Sequence, residues 1–161
     1  LYKLILFSQI SEHFMEIQSK CPAHMIISTF EKKIKIKKQK LTKSWIKLQK
    51  RETFVEGQIP PFRVEFNNIN QNGTFETNEL NIHHGPFLHL PGVIGEINDS
   101  YRGLYYLYGS YVLSFRFIRP VELEFFKEED GIRLCLKSYI NPKFKKIWPL
   151  MNSFFWFFFK L

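Results

Sequence analysis

VELEFFKEEDGIRLCLKSYI, from Val121 to Ile140, decides the fold class of this chain. Glu122 and Glu124 alternate with Val121, Leu123 and Phe125, the two-residue period of a strand with one apolar and one wet face. Asp130-Gly131 supplies a tight turn of residues that accept positive φ, and Ile132–Ile140 reads as the returning strand. The segment is therefore an antiparallel hairpin. Upstream, Phe62–Phe66, Thr74–His83, Gly92–Ile97, Gly103–Tyr108 and Tyr111–Ile118 also read as strands, with Asn72-Gly73 as a second hairpin turn. No helical pattern interrupts Phe62–Ile140, so βαβ units are absent and the sheet is expected to be an antiparallel meander.

The flanks add one strand and two helices. Met25–Lys38 (MIISTFEKKIKIKK) alternates, with Phe30, Ile34 and Ile36 on one face and Lys33, Lys35 and Lys37 on the other. Lysines so placed blunt an exposed sheet edge. Leu41–Lys50 changes period: Leu41, Trp45 and Leu48 fall at i, i+4 and i+7, predicting a short amphipathic helix with Thr42 as candidate N-cap. Gly57 and Pro60-Pro61 end that region. Asn141-Pro142 closes the last strand, and Lys143–Leu161 follows with the aromatic run Phe154–Phe159. Ahead of everything, Leu4, Ile5, Ile10, Phe14 and Ile17 follow helical spacing. Leu1–Phe7 lacks the basic flank and small-residue cleavage site of a signal peptide. A first residue other than Met leads us to expect a fragment or a processed chain.

Composition narrows the class. In 161 residues, 45% are hydrophobic and 24% charged, enough apolar content to bury one core. Gly, Cys and heptad content exclude collagen-like, disulfide-framework and long coiled-coil chains. Aromatics reach 17%, with 18 Phe, 7 Tyr and 3 Trp, which suits wide apolar walls, a cavity or a membrane-facing surface. The net charge of +8 is local. Ten basic residues and no acidic one lie between Lys32 and Arg51, and the remaining 13 basic residues face 15 acidic ones. Such a run is ordinarily a solvated face. It interleaves lysine with isoleucine and holds a single arginine, so base stacking and bidentate readout of nucleic acid are poorly served. An anionic membrane surface suits it better, with Lys33, Lys35 and Lys37 as the contact candidates.

Few residues suggest catalysis. His83, His84 and His89 cluster near Gly85-Pro86, but His83 and His84 point to opposite faces of a regular strand. The Pro86 turn can bring His84 and His89 together, yet no neighbouring acid or cysteine completes a metal site, and surface or loop histidines are the default reading. Neither G-x-S-x-G, nor a Walker sequence, nor G-x-G-x-x-G occurs. Cys21 and Cys135 have no C-x-x-C spacing and read as small buried or half-buried side chains in a reducing compartment. Asn72-Gly73-Thr74 and Asn98-Asp99-Ser100 match the short, common glycosylation pattern. Glu122 and Glu124 read as solvent-facing, and the acidic tip Glu128–Asp130 as lying near the lysine stripe. Arg116 would be an anion-binding cation if it faced inward; the apolar set Tyr111, Leu113, Phe115 and Phe117 argues that it faces outward. Tyrosines are the more informative polar groups. Tyr101, Gly103, Tyr105 and Leu107 share one face, opposite Arg102, Leu104, Tyr106 and Tyr108, and either set could line a cavity or pack as ordinary half-buried strand tyrosines.

The tail has three readings: a membrane span, a helix gripped by the sheet, and a gripped helix whose outer phenylalanines touch a membrane. As a membrane span Ile147–Leu161 is short, roughly 22 Å against a hydrocarbon core of about 30 Å. As a helix gripped by the sheet it should show one apolar stripe, yet it is aromatic all round, so it is buried on every side or partly exposed to something apolar. Pro149 fits a helix start or a kink.

The order of strand, helical connection, antiparallel strands and terminal aromatic helix resembles the START-like superfamily, the helix-grip or SRPBCC class of lipid-transfer domains, pollen allergens and polyketide cyclase-like proteins. The resemblance is carried by MIISTFEKKIKIKK with KLTKSWIKLQKRETF, and by VELEFFKEEDGIRLCLKSYINPKFKKIWPLM. It spans Met25 to Leu161 as pattern, with Asn67–Gly95 less regular and the terminal helix shorter than in that class. It implies an α+β helix-grip fold, a curved antiparallel sheet wrapped around a long C-terminal helix. Residues 1–22 would form an N-terminal helical extension and 23–161 the START-like domain. It also implies a cavity for a hydrophobic, lipid-like molecule and does not imply catalysis; the lining candidates in this chain are Tyr101, Tyr105, Tyr106, Tyr108, Tyr111, Leu113, Phe115, Leu134, Leu136, Met151 and Phe155, and no cofactor, metal or catalytic residue is expected. The alternatives are a cyclase- or hydratase-type enzyme using cavity tyrosines, and a membrane-anchored interaction protein. The expected setting is cytoplasmic with possible membrane association.

Overall fold

The computed structural model describes residues 20–51, 63–66, 73–85, 88–107 and 116–157. The expected N-terminal helix and the residues 108–115 lie outside these. Seven strands form one antiparallel sheet: β1 (Ile26–Lys35), β2 (Arg63–Phe66), β3 (Leu80–Gly85), β4 (Leu88–Ile97), β5 (Tyr101–Tyr106), β6 (Ile118–Glu128) and β7 (Gly131–Ile140). Their order is β1-β7-β6-β5-β4-β3-β2, so β2 to β7 run as a meander and β1 docks beside β7. Helix α1 (Lys38–Leu48) follows β1, and α2 (Ile147–Phe157) follows β7. The α+β antiparallel class is as expected.

Each element follows from its residues. In β1 the odd-numbered outer positions, including Lys33 and Lys35, are exposed, while Phe30, Lys32 and Ile34 turn inward. Helix α1 buries Leu41, Trp45 and Leu48, the stripe its spacing predicts. Thr42 is not its cap. The helix begins at Lys38, directly after the strand, and Lys37 holds the cap position with no side-chain bond. The β6–β7 hairpin turns at Asp130-Gly131 as expected, but not for the expected reason. Positive φ occurs at Gly73 and Asn78 among the described residues, not here. Gly131 is required because a Cβ would lie 2.2 Å from the Ile34 carbonyl oxygen of β1.

Several strand boundaries differ from expectation: β1 ends at Lys35 and β5 runs from Tyr101 to Tyr106, and three further differences change the sheet. Thr74–His83 is not one strand: Thr74 makes an isolated bridge to Lys50, Asn78 turns the chain at φ 68°, and β3 starts only at Leu80. Strand β4 begins four residues early, carrying Pro91 inside it, where the Pro91 carbonyl accepts from the Leu107 amide. Strand β6 begins at Ile118 and runs through Pro120, with its register shifted between Pro120 and Glu122; a second shift lies between Ile94 and Ile97 on β4. Such bulges bend the strands that carry them.

The described terminal helix is also shorter than expected, 11 residues, or about 16 Å. Asn141 caps the 3₁₀ turn Pro142–Phe144 that leads into it, and Pro149 occupies its first turn, where a missing N–H costs little. One apolar core joins sheet and helices: Leu41, Trp45 and Leu48 from α1, Trp156 from α2, and Leu90, Ile94, Leu104, Leu123, Phe125, Ile132, Leu134 and Leu136 from β4 to β7.

Candidate functional site

The inner face of the sheet is apolar at its β7 end and holds polar groups toward β3. Arg102, Leu104 and Tyr106 are spaced two residues apart along β5, so all three point into the core. Arg102 is 1% exposed. Its guanidinium lies between two phenyl rings, 4.3 Å from the Phe75 centroid and 5.3 Å from that of Phe125. Its Nη1 donates to the Leu48 carbonyl in the last turn of α1, 2.7 Å away, where the helix dipole is negative. Burial lowers its pKa to about 9, opposed by the Tyr106 hydroxyl.

This contact belongs to a longer ladder. Phe75 meets Phe66 at 5.2 Å, and Arg51 sits over the Phe66 ring at 5.7 Å. Arg51 in turn forms a buried ion pair with Glu79. At the other end Phe125 meets Trp156 of α2 edge-on at 6.1 Å, and Trp156 meets Phe155 at 5.3 Å. The Trp156 carbonyl accepts from Lys32 Nζ of β1 at 2.9 Å, a cation at a helix C-terminus. Part of the aromatic surplus thus serves to hold buried cations.

Beside the ladder is a polar row. Asn81, Gly92 and Tyr106 are in direct register across β3, β4 and β5. Gly92 leaves room for the Asn81 carboxamide: a Cβ there would lie 2.9 Å from Asn81 Oδ1. That oxygen is buried without a hydrogen-bond donor. His83, two residues on, meets the Tyr106 ring at 5.3 Å. Burial, with the Arg102 charge second, lowers the His83 pKa to about 3 and keeps the imidazole neutral. Burial also pushes the Tyr106 hydroxyl well above its ordinary value. The row offers a carbonyl acceptor, a neutral imidazole and a hydroxyl in an apolar interior.

The sequence-predicted lining residues divide between the two faces. Tyr106, Leu134 and Leu136 are inside, and Phe155 packs partly buried against the core. Tyr101 and Tyr105 lie on the outer face, where Tyr101 donates to Glu124 at 3.0 Å. Burial, then Glu124, raises the Tyr101 pKa, and burial with Glu122 raises that of Tyr105. Glu122 is half-buried there, its pKa raised first by burial. Met151 is 50% exposed on the outward side of α2. Tyr108, Tyr111, Leu113 and Phe115 lie outside the described residues. Arg116 is exposed, as expected, whereas Arg119, among the same aromatic neighbours, is wholly buried over the Tyr139 ring.

The surface groups are also accounted for. Lys33 bridges Glu128 at 2.8 Å and Asp130 at 2.6 Å, so the acidic hairpin tip does neutralise part of the lysine stripe. Lys35 and Lys37 are exposed. His84 and His89 are direct cross-strand partners with rings 5.3 Å apart, and Glu65 of β2 approaches His84 at 3.1 Å. Among the described residues no three His, Cys, Asp or Glu side chains form a metal-holding group. Cys21 and Cys135 are free and half-buried, with thiols raised by burial. No helix among the described residues is long and apolar enough to cross a membrane. No protein-family model and no curated protein matches the chain.

Proposed function

We propose that the protein binds a lipid-like small molecule between the inner face of the sheet and α2, in a START-like, helix-grip arrangement. The observation that carries this reading is the Asn81–Gly92–Tyr106 row, with an unpartnered carbonyl oxygen buried at one end of an apolar face. Ligand sites of this kind are mostly apolar, with a few convergent polar groups that set orientation. A ligand hydroxyl would donate to Asn81 Oδ1, and its apolar body would lie along Leu104, Leu123 and Leu134 toward Trp156. Burial of that body supplies the affinity, at about 25 cal/mol per Å². Large aromatic side chains connect α2 to the sheet, so their reorientation would open the space.

The element order of strand, helix, meander and terminal helix supports the same reading. The tyrosines bear on the enzymatic alternative. Tyr101, Tyr105 and Tyr106 are all held above their ordinary value, which disfavours proton abstraction by any of them near neutrality. Binding without chemistry is the simpler use of these groups.

Native mass spectrometry of the purified chain, followed by denaturing extraction, tests the proposal. A stoichiometric apolar adduct is expected. Uptake of a fluorescent fatty acid or sterol probe, weakened about tenfold by Asn81→Leu if one hydrogen bond is lost, would place it at the row. A protein that carries no adduct and takes up neither probe would sink the reading.

A further inference from the structure

Helix α2 buries one side and presents an apolar stripe on the other. Trp156 and Asn152 are buried, whereas Ile147, Leu150, Met151, Phe154 and Phe157 are 50%, 70%, 50%, 68% and 75% exposed. Those five recur at i, i+3, i+4, i+7 and i+10, a single line along the helix. Exposed hydrophobic residues scattered singly need no explanation; five in a line do.

Charge identifies what the stripe meets. Lys143, Lys145 and Lys146 are exposed immediately before the helix. They stand at its positive dipole end, where cations are unfavourable, and no acidic side chain lies in its first turn. From Gly131 to Leu161 the sequence has six basic residues and no acidic one. A second copy docking through this segment would bring positive charge and no counter-charge. An anionic surface relieves the lysine repulsion, while an acyl boundary accepts the aromatic stripe. At about 16 Å the described helix is too short to cross a bilayer and long enough to lie on one.

We infer that α2 is a membrane-surface docking element: Leu150, Met151, Phe154 and Phe157 enter the headgroup–acyl boundary of an anionic bilayer, and Lys143, Lys145 and Lys146 contact its headgroups. The contact surface is thus this helix rather than the β1 lysines, because Lys33 already bridges Glu128 and Asp130.

Co-sedimentation of the full chain with phosphatidylcholine vesicles, with and without phosphatidylserine, tests the inference. Binding is expected only with phosphatidylserine. Lys143→Gln/Lys145→Gln/Lys146→Gln should reduce partitioning about a hundredfold, from the loss of three headgroup contacts. Leu150→Ser/Phe154→Ser should reduce it at least about tenfold. Lys33→Gln/Lys35→Gln/Lys37→Gln should change it less than about threefold. All these positions are exposed, and circular dichroism checks that each variant keeps the fold; the lysine variant leaves every apolar contact intact and decides the matter if the serine variant unfolds. The inference fails if vesicles of neither composition bind, or if the two lysine variants lose binding equally. It also fails if Leu150→Ser/Phe154→Ser dissolves a dimer of the lipid-free chain without changing vesicle binding. Because probe uptake in lipid-free solution reports on the interior, failure here leaves the small-molecule reading standing, and the reverse.

Discussion

Phe125 and Phe126 are neighbours on β6, point to opposite sides of the sheet, and each pairs with an arginine. Arg102 of β5 is the direct partner of Phe125 on the inner face, and Arg133 of β7 is the partner of Phe126 on the outer face. Both guanidinium groups lie over the ring, at 5.3 Å and 4.1 Å. The chemistry is the same, yet the two charges behave oppositely. Burial lowers the pKa of Arg102, whereas a hydrogen bond to Glu128 raises that of Arg133. Solvent, and not the ring, sets the difference. Inside, the cation depends on fixed partners: the Leu48 carbonyl and two phenyl faces. Outside, water can replace any of them.

The largest expected effect follows directly. Arg102→Ala leaves the Leu48 carbonyl without this donor and a void between two rings, and should cost about 3–5 kcal/mol in urea unfolding. Arg133→Ala should cost only a small fraction of that and vary with salt. Equal losses would break the comparison. His83 sharpens it on the pH axis. Its folded pKa of about 3 lies below the ordinary 6.5, so the unfolded chain binds more protons between those values. Its stabilising effect is complete above pH 6.5 and is lost as pH falls toward 3. Between about pH 7 and about pH 5, wild type should lose about 1–2 kcal/mol more than His83→Gln. An identical pH dependence in the two proteins would mean that His83 titrates as if in water.

On the outer face the effects diminish further. Tyr101→Phe removes the half-buried donor to Glu124 and should cost about 0.5–1.5 kcal/mol. Lys33→Gln should give the smallest change, one that disappears in about 1 M salt, since its partners are screened by solvent. A Lys33 effect that survived high salt would show the hairpin tip to be less solvated than its exposure indicates.

Much of this division is legible along the strands. The alternation of Tyr101, Gly103 and Tyr105 against Arg102, Leu104 and Tyr106 separates the two faces, and the structure decides which of them is inside. The inward course of Arg102 is implicit in that alternation, since it shares a face with Leu104 and Tyr106, although an arginine among tyrosines reads first as surface. Its burial was not legible, because the rings that enclose it come from Phe75 and Phe125, and the acceptor from Leu48. Arg116 is exposed, as the apolar residues around it imply, but nothing in the local pattern shows that Arg119 three residues later is buried. The Asn81 row is illegible in the sequence for the same reason: Asn81 and Tyr106 are 25 positions apart and meet only through the β3–β4–β5 register. The turn at Gly131 is legible in the sequence, but its need for glycine comes from β1, nearly a hundred residues away.

Local periodicity determined the antiparallel class, the buried stripe of α1, the outward lysines of β1 and the hairpin at Asp130-Gly131, because each depends on residues within one or two turns of chain. Tertiary structure decided that β1 lies beside β7, that Lys33 meets the acidic tip, that Arg102 is solvated by phenyl rings, and that α2 turns one apolar stripe inward and the other out. A helix aromatic on all sides carries no local signal for which side is covered. That choice is made by what the sheet presents to it.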